Sequence, residues 1–197
     1  MLKKFIQKFL FITVLATTCA ASAFGAQDYQ TESQPQVIEK IIQLEQKGIL
    51  KQKDNGYLYV DVSNDYVAQA LALIEAQGKI VPPSHYKSKK GIGAHISVIY
   101  ENEQIENEIW EIKELGQEFT FTIMEIRTVK LNKDGRLKKL WLIAVSAPDL
   151  EKLRESYGLA SKLKNHDFHI TIGTQVPGKP AAQPNFVIQE EELDEAA

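Results

Sequence analysis

Two short segments alternate apolar residues with one histidine and one hydroxyl, and no other feature of this chain restricts its fold as far. Phe168-His169-Ile170-Thr171-Ile172 has the period of a strand, with Phe168, Ile170 and Ile172 on one face and His169 and Thr171 on the other. Ala94-His95-Ile96-Ser97-Val98-Ile99-Tyr100 repeats the arrangement, so His95 and Ser97 also share a face. Ser and Thr make up 18 of 197 residues, so a single His-x-Ser/Thr triplet says little. Two of them, each inside an alternating apolar run, say more. Each pairs an imidazole, which titrates near ~6.5, with a hydroxyl donor. Two such pairs are what acid–base chemistry on a phosphate ester requires.

The elements leading up to the two segments follow one order. Asp54-Asn55-Gly56 predicts a turn, residues 57–62 an alternating strand, and Ser63 or Asn64 the cap of a helix carrying Val67, Leu71 and Ile74 and ending at Gly78. After Pro82-Pro83 a polar, basic loop delivers the His95 strand. In the second half, residues 119–131 predict a strand, Asn132-Lys133-Asp134-Gly135 a turn, and residues 137–145 the return strand around Trp141. Pro148 opens a helix with Leu150, Leu153 and Tyr157 inward and Gly158 at its end, and the His169 strand follows. An internal duplication of this kind predicts an α+β fold of two pseudo-twofold-related antiparallel-sheet lobes with outer helices. The two His strands then face each other across a central cleft. Two further helices are expected, one opened by Pro35 and closed by Gly48, the other over residues 103–115 with Ile105, Ile109 and Ile112 at helical spacing.

The flanks differ in character from this domain, expected over residues 35–176. Lys3, Lys4 and Lys8, an apolar run over residues 9–16 and Ala21-Ser22-Ala23 predict a cleaved signal peptide over residues 1–23. Export to the periplasm or the medium follows, with no stable membrane insertion once the leader is removed, since the apolar run is too short for a span. Ala16-Thr17-Thr18 before Cys19 is a poor lipidation box, and cleavage leaves a chain without cysteine, disulfide or thiolate metal site. Residues 24–34 are expected to be a loose linker and residues 177–197 a Pro-containing acidic tail. The mature chain carries 20 basic against 26 acidic residues. Five of those acids lie between Glu190 and Glu195, so the folded part is close to neutral. That balance excludes a protein that grips long nucleic acid by its phosphates, and leaves a small nucleotide or short RNA as ligand of a monomer.

On these residues the chain resembles the 2H phosphoesterases, named for two His-x-Thr/Ser motifs on a bilobal α+β fold; here they are His95-Ile96-Ser97 and His169-Ile170-Thr171. The likeness spans roughly residues 57–175, and the wording from His166 to Gly173 resembles the 2H domain of multidomain RNA-repair proteins. Phe168 stands where the commoner pattern has Pro, and Ser97 where it has Thr. The leader is a larger departure, because RNA-processing relatives work inside cells. The resemblance implies cleavage or cyclisation of phosphodiesters, above all 2′,3′-cyclic phosphates, without cofactor or metal. It implies His95 and His169 as catalytic acid and base, with Ser97 and Thr171 on the phosphate oxygens.

Tyr86 and Lys90 in the basic loop are candidate substrate contacts, whereas His85 beside them reads as a solvated loop residue. His166 and His169, three apart in an extended stretch, are expected on opposite faces and chelate badly, so a zinc site is disfavoured. The reading from another class is an exported, non-catalytic module that keeps the fold and binds a nucleotide or a protein. Matched imidazole–hydroxyl pairs argue against it, because a binding site needs no acid–base pair.

Overall fold

The computed structural model describes residues 29–89, 91–133 and 136–177. Residues 1–28, which include the expected leader, residues 178–197, Lys90, and Asp134-Gly135, where a turn is expected, lie outside the described residues. In chain order the elements are β1 (Tyr29–Glu32), α1 (Pro35–Ile41), β2 (Lys47–Gln52), β3 (Leu58–Asp61), α2 (Asp65–Leu73), β4 (Lys79–Val81) and α3 (Ser84–Lys87). They continue with β5 (His95–Ile99), α4 (Glu101–Glu106), β6 (Glu118–Thr120), β7 (Thr122–Lys133), β8 (Arg136–Ser146), α5 (Pro148–Ser156), a 3-10 turn at Leu163–Asn165 and β9 (Phe168–Val176).

The strands form one antiparallel sheet in the order β1-β7-β8-β9-β5-β3-β2-β6, with β4 pairing the far end of β9. Each half contributes a hairpin, then a helix, then a return strand that pairs with the second strand of its hairpin. Those are β2-β3-α2-β5 and β7-β8-α5-β9, and the two return strands meet at the centre of the sheet. The sheet also curls. β6 lies at one end of the order and β7 one strand in from the other, yet only Phe121 separates them along the chain. Phe121 N–H donates to Gln46 O, and Ile123 N–H to the Gln46 side chain.

Period-two sequence decides which face is buried. In β5, Ile96 and Val98 are fully buried while His95 and Ser97 are only half-covered; in β9, Phe168, Ile170 and Ile172 are buried while His169 and Thr171 are half-covered. The apolar face joins Val60, Val67, Ile143, Leu150 and Leu153 in a single core that includes residues of α1, α2 and α5. Burying each such side chain contributes about 1.5–3 kcal/mol, which holds the opposite, functional face in register.

Several local expectations change. The strands of the two halves belong to one continuous sheet, because Ile96 pairs with Ile170. Tyr29–Glu32, expected to be loose, is an edge strand on β7: its polar residues bond across strands, Thr128 donating to Glu32 (2.7 Å) and Thr31 to Glu125 (3.0 Å). Gly48 ends no helix; α1 stops at Ile41 and Gly48 lies within β2, where a Cβ would collide with the Asp61 carbonyl and with Val60 and Val62. The helix expected over residues 103–115 stops at Glu106. Glu108 adopts φ 53° and Ile109 N–H returns to Gln104 O, so Ile109 and Ile112 are buried from irregular backbone while Ile105 stays exposed. Residues 119–131 divide at Phe121 into β6 and β7.

Candidate active site

The antiparallel pairing of Ile96 with Ile170 fixes the geometry of the site. Counting outward along both strands sets His95 across from Thr171 and Ser97 across from His169. Each imidazole therefore faces the hydroxyl of the other half. All four side chains line one cavity of about 650 Å³. Pro-free, β-branched β5 and β9 suit these central positions, and Gly173 lets β4 close on β9, since a Cβ there would strike the Val81 carbonyl.

Both imidazoles are oriented by the same device. His95 Nδ1 lies 2.9 Å from Gly93 O and His169 Nδ1 lies 3.3 Å from Asp167 O, in each case a carbonyl two residues earlier. A carbonyl only accepts, so Nδ1 carries the proton in both, and Nε2 is left as an acceptor for chemistry. The left-handed Gly93 (φ 70°), against which Asn64 Oδ1 packs, shapes the approach to His95.

The surroundings of the two rings differ. His95 is enclosed by aromatic edges and faces: Tyr57 at 6.0 Å, Tyr59 at 5.8 Å and His85 at 4.6 Å between ring centroids. Burial, with help from the His85 and Lys53 charges and from His169, pushes its pKa down to about 4. His169 is also held below the ordinary histidine value, by burial first and then by His166 and Arg127. Asp167, whose carbonyl anchors His169, turns its carboxylate to Lys162 and to Arg127 Nη1 (2.8 Å), and these two partners keep its pKa low. Arg127 in turn donates from Nε to Glu125 (2.6 Å). Behind β5, the fully buried Arg154 donates to Val98 O (2.6 Å), Ala160 O (2.8 Å) and Glu103 (2.8 Å), fixing α5 and α4 to the strand.

The hydroxyls differ too. Ser97 Oγ lies 2.5 Å from Tyr57 OH. Ser97 also bonds the Tyr100 side chain, so with the Tyr57 phenol donating, the Ser97 proton serves either the Tyr100 hydroxyl or a ligand. Thr171 has no side-chain partner among the described residues.

Of the residues singled out in the sequence, His95, His169, Ser97 and Thr171 converge. Tyr86 does not: it packs against the core. Its neighbour His85 faces the cavity instead, because the α3 turn and a Gly91 backbone laid on the His85 carbonyl swing that ring onto His95. His166, expected on the face opposite His169, also lines the cavity. β9 starts only at Phe168, and left-handed Lys164 (φ 52°) and Asn165 (φ 61°) reset the chain direction before it. Tyr29, Tyr57, Tyr100, Lys53, Lys164 and Asp167 complete the polar lining, and none of them carries a short sequence signal.

A family model described as Swiss Army Knife, 2H phosphoesterase domain, matches residues 58–177. The protein therefore belongs to the 2H phosphoesterases, hydrolytic enzymes of phosphate esters. No curated protein and no solved structure matches the chain.

Proposed function

We propose that this protein hydrolyses 2′,3′-cyclic phosphodiesters of nucleotides or short RNA by general acid–base catalysis shared between His95 and His169. One imidazole takes a proton through Nε2 from a water whose oxygen attacks phosphorus. The bond from phosphorus to one ribose oxygen breaks, and the other ring, as imidazolium, gives that oxygen its proton. The product is a phosphomonoester beside a free hydroxyl. Ser97 and Thr171 donate to the non-bridging oxygens, where charge accumulates in the transition state. Each proton transfer of this kind typically contributes 10²–10⁴-fold.

The observation that supports this reading is the paired orientation: both Nδ1 atoms are committed to carbonyls, so both Nε2 atoms serve one cavity, each opposite a hydroxyl. Low histidine pKa values suit the base. The acid must gain its proton with the anionic substrate, whose charge favours the imidazolium. The reaction so written calls on no metal ion. We further place the protein outside the cytoplasm, on the strength of the leader sequence.

A screen of purified protein against 2′,3′-cyclic nucleotides and cyclic-phosphate-ended oligonucleotides, with chelator present, tests the reading. Turnover to phosphomonoesters is expected. Turnover only after a metal is restored, or binding of these ligands without turnover, contradicts it.

A further inference from the structure

Asp167 is the only carboxylate lining the cavity among the described residues, and Lys162 and Arg127 already neutralise it. The same wall carries Lys53 and Lys164, neither of which forms an ion pair among the described residues. Their ammonium groups rest on aromatic rings: Lys53 Nζ is 5.5 Å from the centre of Tyr57, and Lys164 Nζ 4.6 Å from that of Tyr100. Those rings belong to a ladder. Tyr57 stacks on Tyr59 at 5.7 Å and on Tyr100 at 5.8 Å, with interplanar angles of 15° and 14°. The ladder starts beside His95 and leads to a second hollow that Tyr57, Tyr100 and Lys164 also line. Lys164 reaches this place through the left-handed pair Lys164–Asn165, a conformation that costs energy in residues other than glycine.

We propose that Lys53 and Lys164 form a second anion subsite at the rim of the cavity, which takes a further phosphate of the substrate beyond the one held between His95 and His169. The subsite rests on the phosphodiesterase reading above and narrows its substrate class to compounds with two phosphates. Two features separate it from the reacting centre. The lysines come from the loop between β2 and β3 and the turn before β9, not from the central strands. Lys53 also stands over the ring whose phenol oxygen touches Ser97, so it sits beyond the hydroxyl that serves the first phosphate. An ammonium resting on a tyrosine keeps its donors for a ligand, and phosphate, a strong multidentate acceptor, is the group that two lysines lining one cavity over stacked rings suit. The second phosphate has two chemical sources: a terminal phosphate on the same nucleotide, or the diester linking the next one.

Three substrates separate these sources: a 2′,3′-cyclic mononucleotide, the same compound with a 5′-phosphate, and a dinucleotide ending in the cyclic phosphate. The readout is the ratio of kcat/KM for each two-phosphate substrate to that of the simple one, in the protein and in K53Q/K164Q, which keeps length and removes charge. A preference of about tenfold or more for one two-phosphate substrate, carried in KM and erased in the variant, is expected; the favoured compound identifies the source. A ratio near one in the unaltered protein, or a ratio that the variant leaves intact, overturns the subsite. Should none of the three turn over, the phosphodiesterase reading fails by itself. Binding of inorganic pyrophosphate then decides the subsite: about tenfold weaker in K53Q/K164Q sustains it, and equal binding overturns it.

Discussion

His95 and His169 leave the same sheet, each two residues beyond the carbonyl that binds its Nδ1, but the two halves hold them by different chemistry. The His95 half uses rings, and the His169 half uses charge. Around His95, Tyr57, Tyr59 and His85 fix the ring by shape and exclude water, which keeps the imidazole neutral. Around His169, the Lys162–Asp167–Arg127–Glu125 chain fixes the backbone that carries the carbonyl and consumes the Asp167 carboxylate. Asp167 therefore orients His169 through its main chain and does not act as a charged partner of the ring. A duplicated backbone plan has thus been furnished with two unrelated supports. Positions set by strand register survive that divergence; the supports do not.

After the histidines themselves, the largest effects are expected where the halves agree. Replacing Ser97 or Thr171 by Ala should each cost about 10²–10³ in kcat if each supplies one transition-state hydrogen bond. Because Ser97 is backed by Tyr57 OH, Tyr57→Phe should cost about tenfold, while Thr171 has no such dependence. Steady-state kinetics on a cyclic nucleotide measure both. Equal sensitivity of the two hydroxyls to Tyr57→Phe would break the asymmetry.

A smaller effect separates ring from charge. With both histidines depressed below 6.5, the singly protonated pair becomes more abundant as pH falls, so kcat/KM should peak on the acidic side of 6.5 rather than at neutrality. Arg127 lowers the His169 pKa, so Arg127→Ala should move one limb of that profile upward in pH, and Tyr57→Phe should move neither. Identical shifts from both variants would show that the two supports are not separate. The same depression has a stability sign. The unfolded histidines take up protons near 6.5 while the folded ones resist, so stability should fall as pH drops from 6.5 through about 4. Thermal melts across that range check it, and a flat profile contradicts the burial of the rings.

The part of this site legible in the sequence is the part that one strand writes in a few residues. Alternation of Ile96, Val98, Ile170 and Ile172 with His95, Ser97, His169 and Thr171 announces two faces, and register does the rest. Arg127 in β7 and Asp167, just before β9, are forty residues apart and meet across the intervening β8; no local pattern announces such a pair. His85 and His166 reach the cavity for a backbone reason that local sequence does not show, since Gly91 packing and the left-handed Lys164–Asn165 pair redirect the chain just before each strand. Ile105, Ile109 and Ile112 had helical spacing, but a left-handed Glu108 overrode it. The edge strand Tyr29–Glu32 was hidden by polar composition, which cross-strand partners on β7 and β8 satisfy.

The most direct test of the central claim, that one imidazole from each half works as a unit, is the turnover of a 2′,3′-cyclic phosphodiester by His95→Ala, His169→Ala and the double variant. Each single change should remove about 10²–10⁴ of the rate, and the double change little more than either, because neither ring can complete the proton transfers alone. Losses that multiply in the double variant, or activity that survives it, would contradict shared acid–base catalysis.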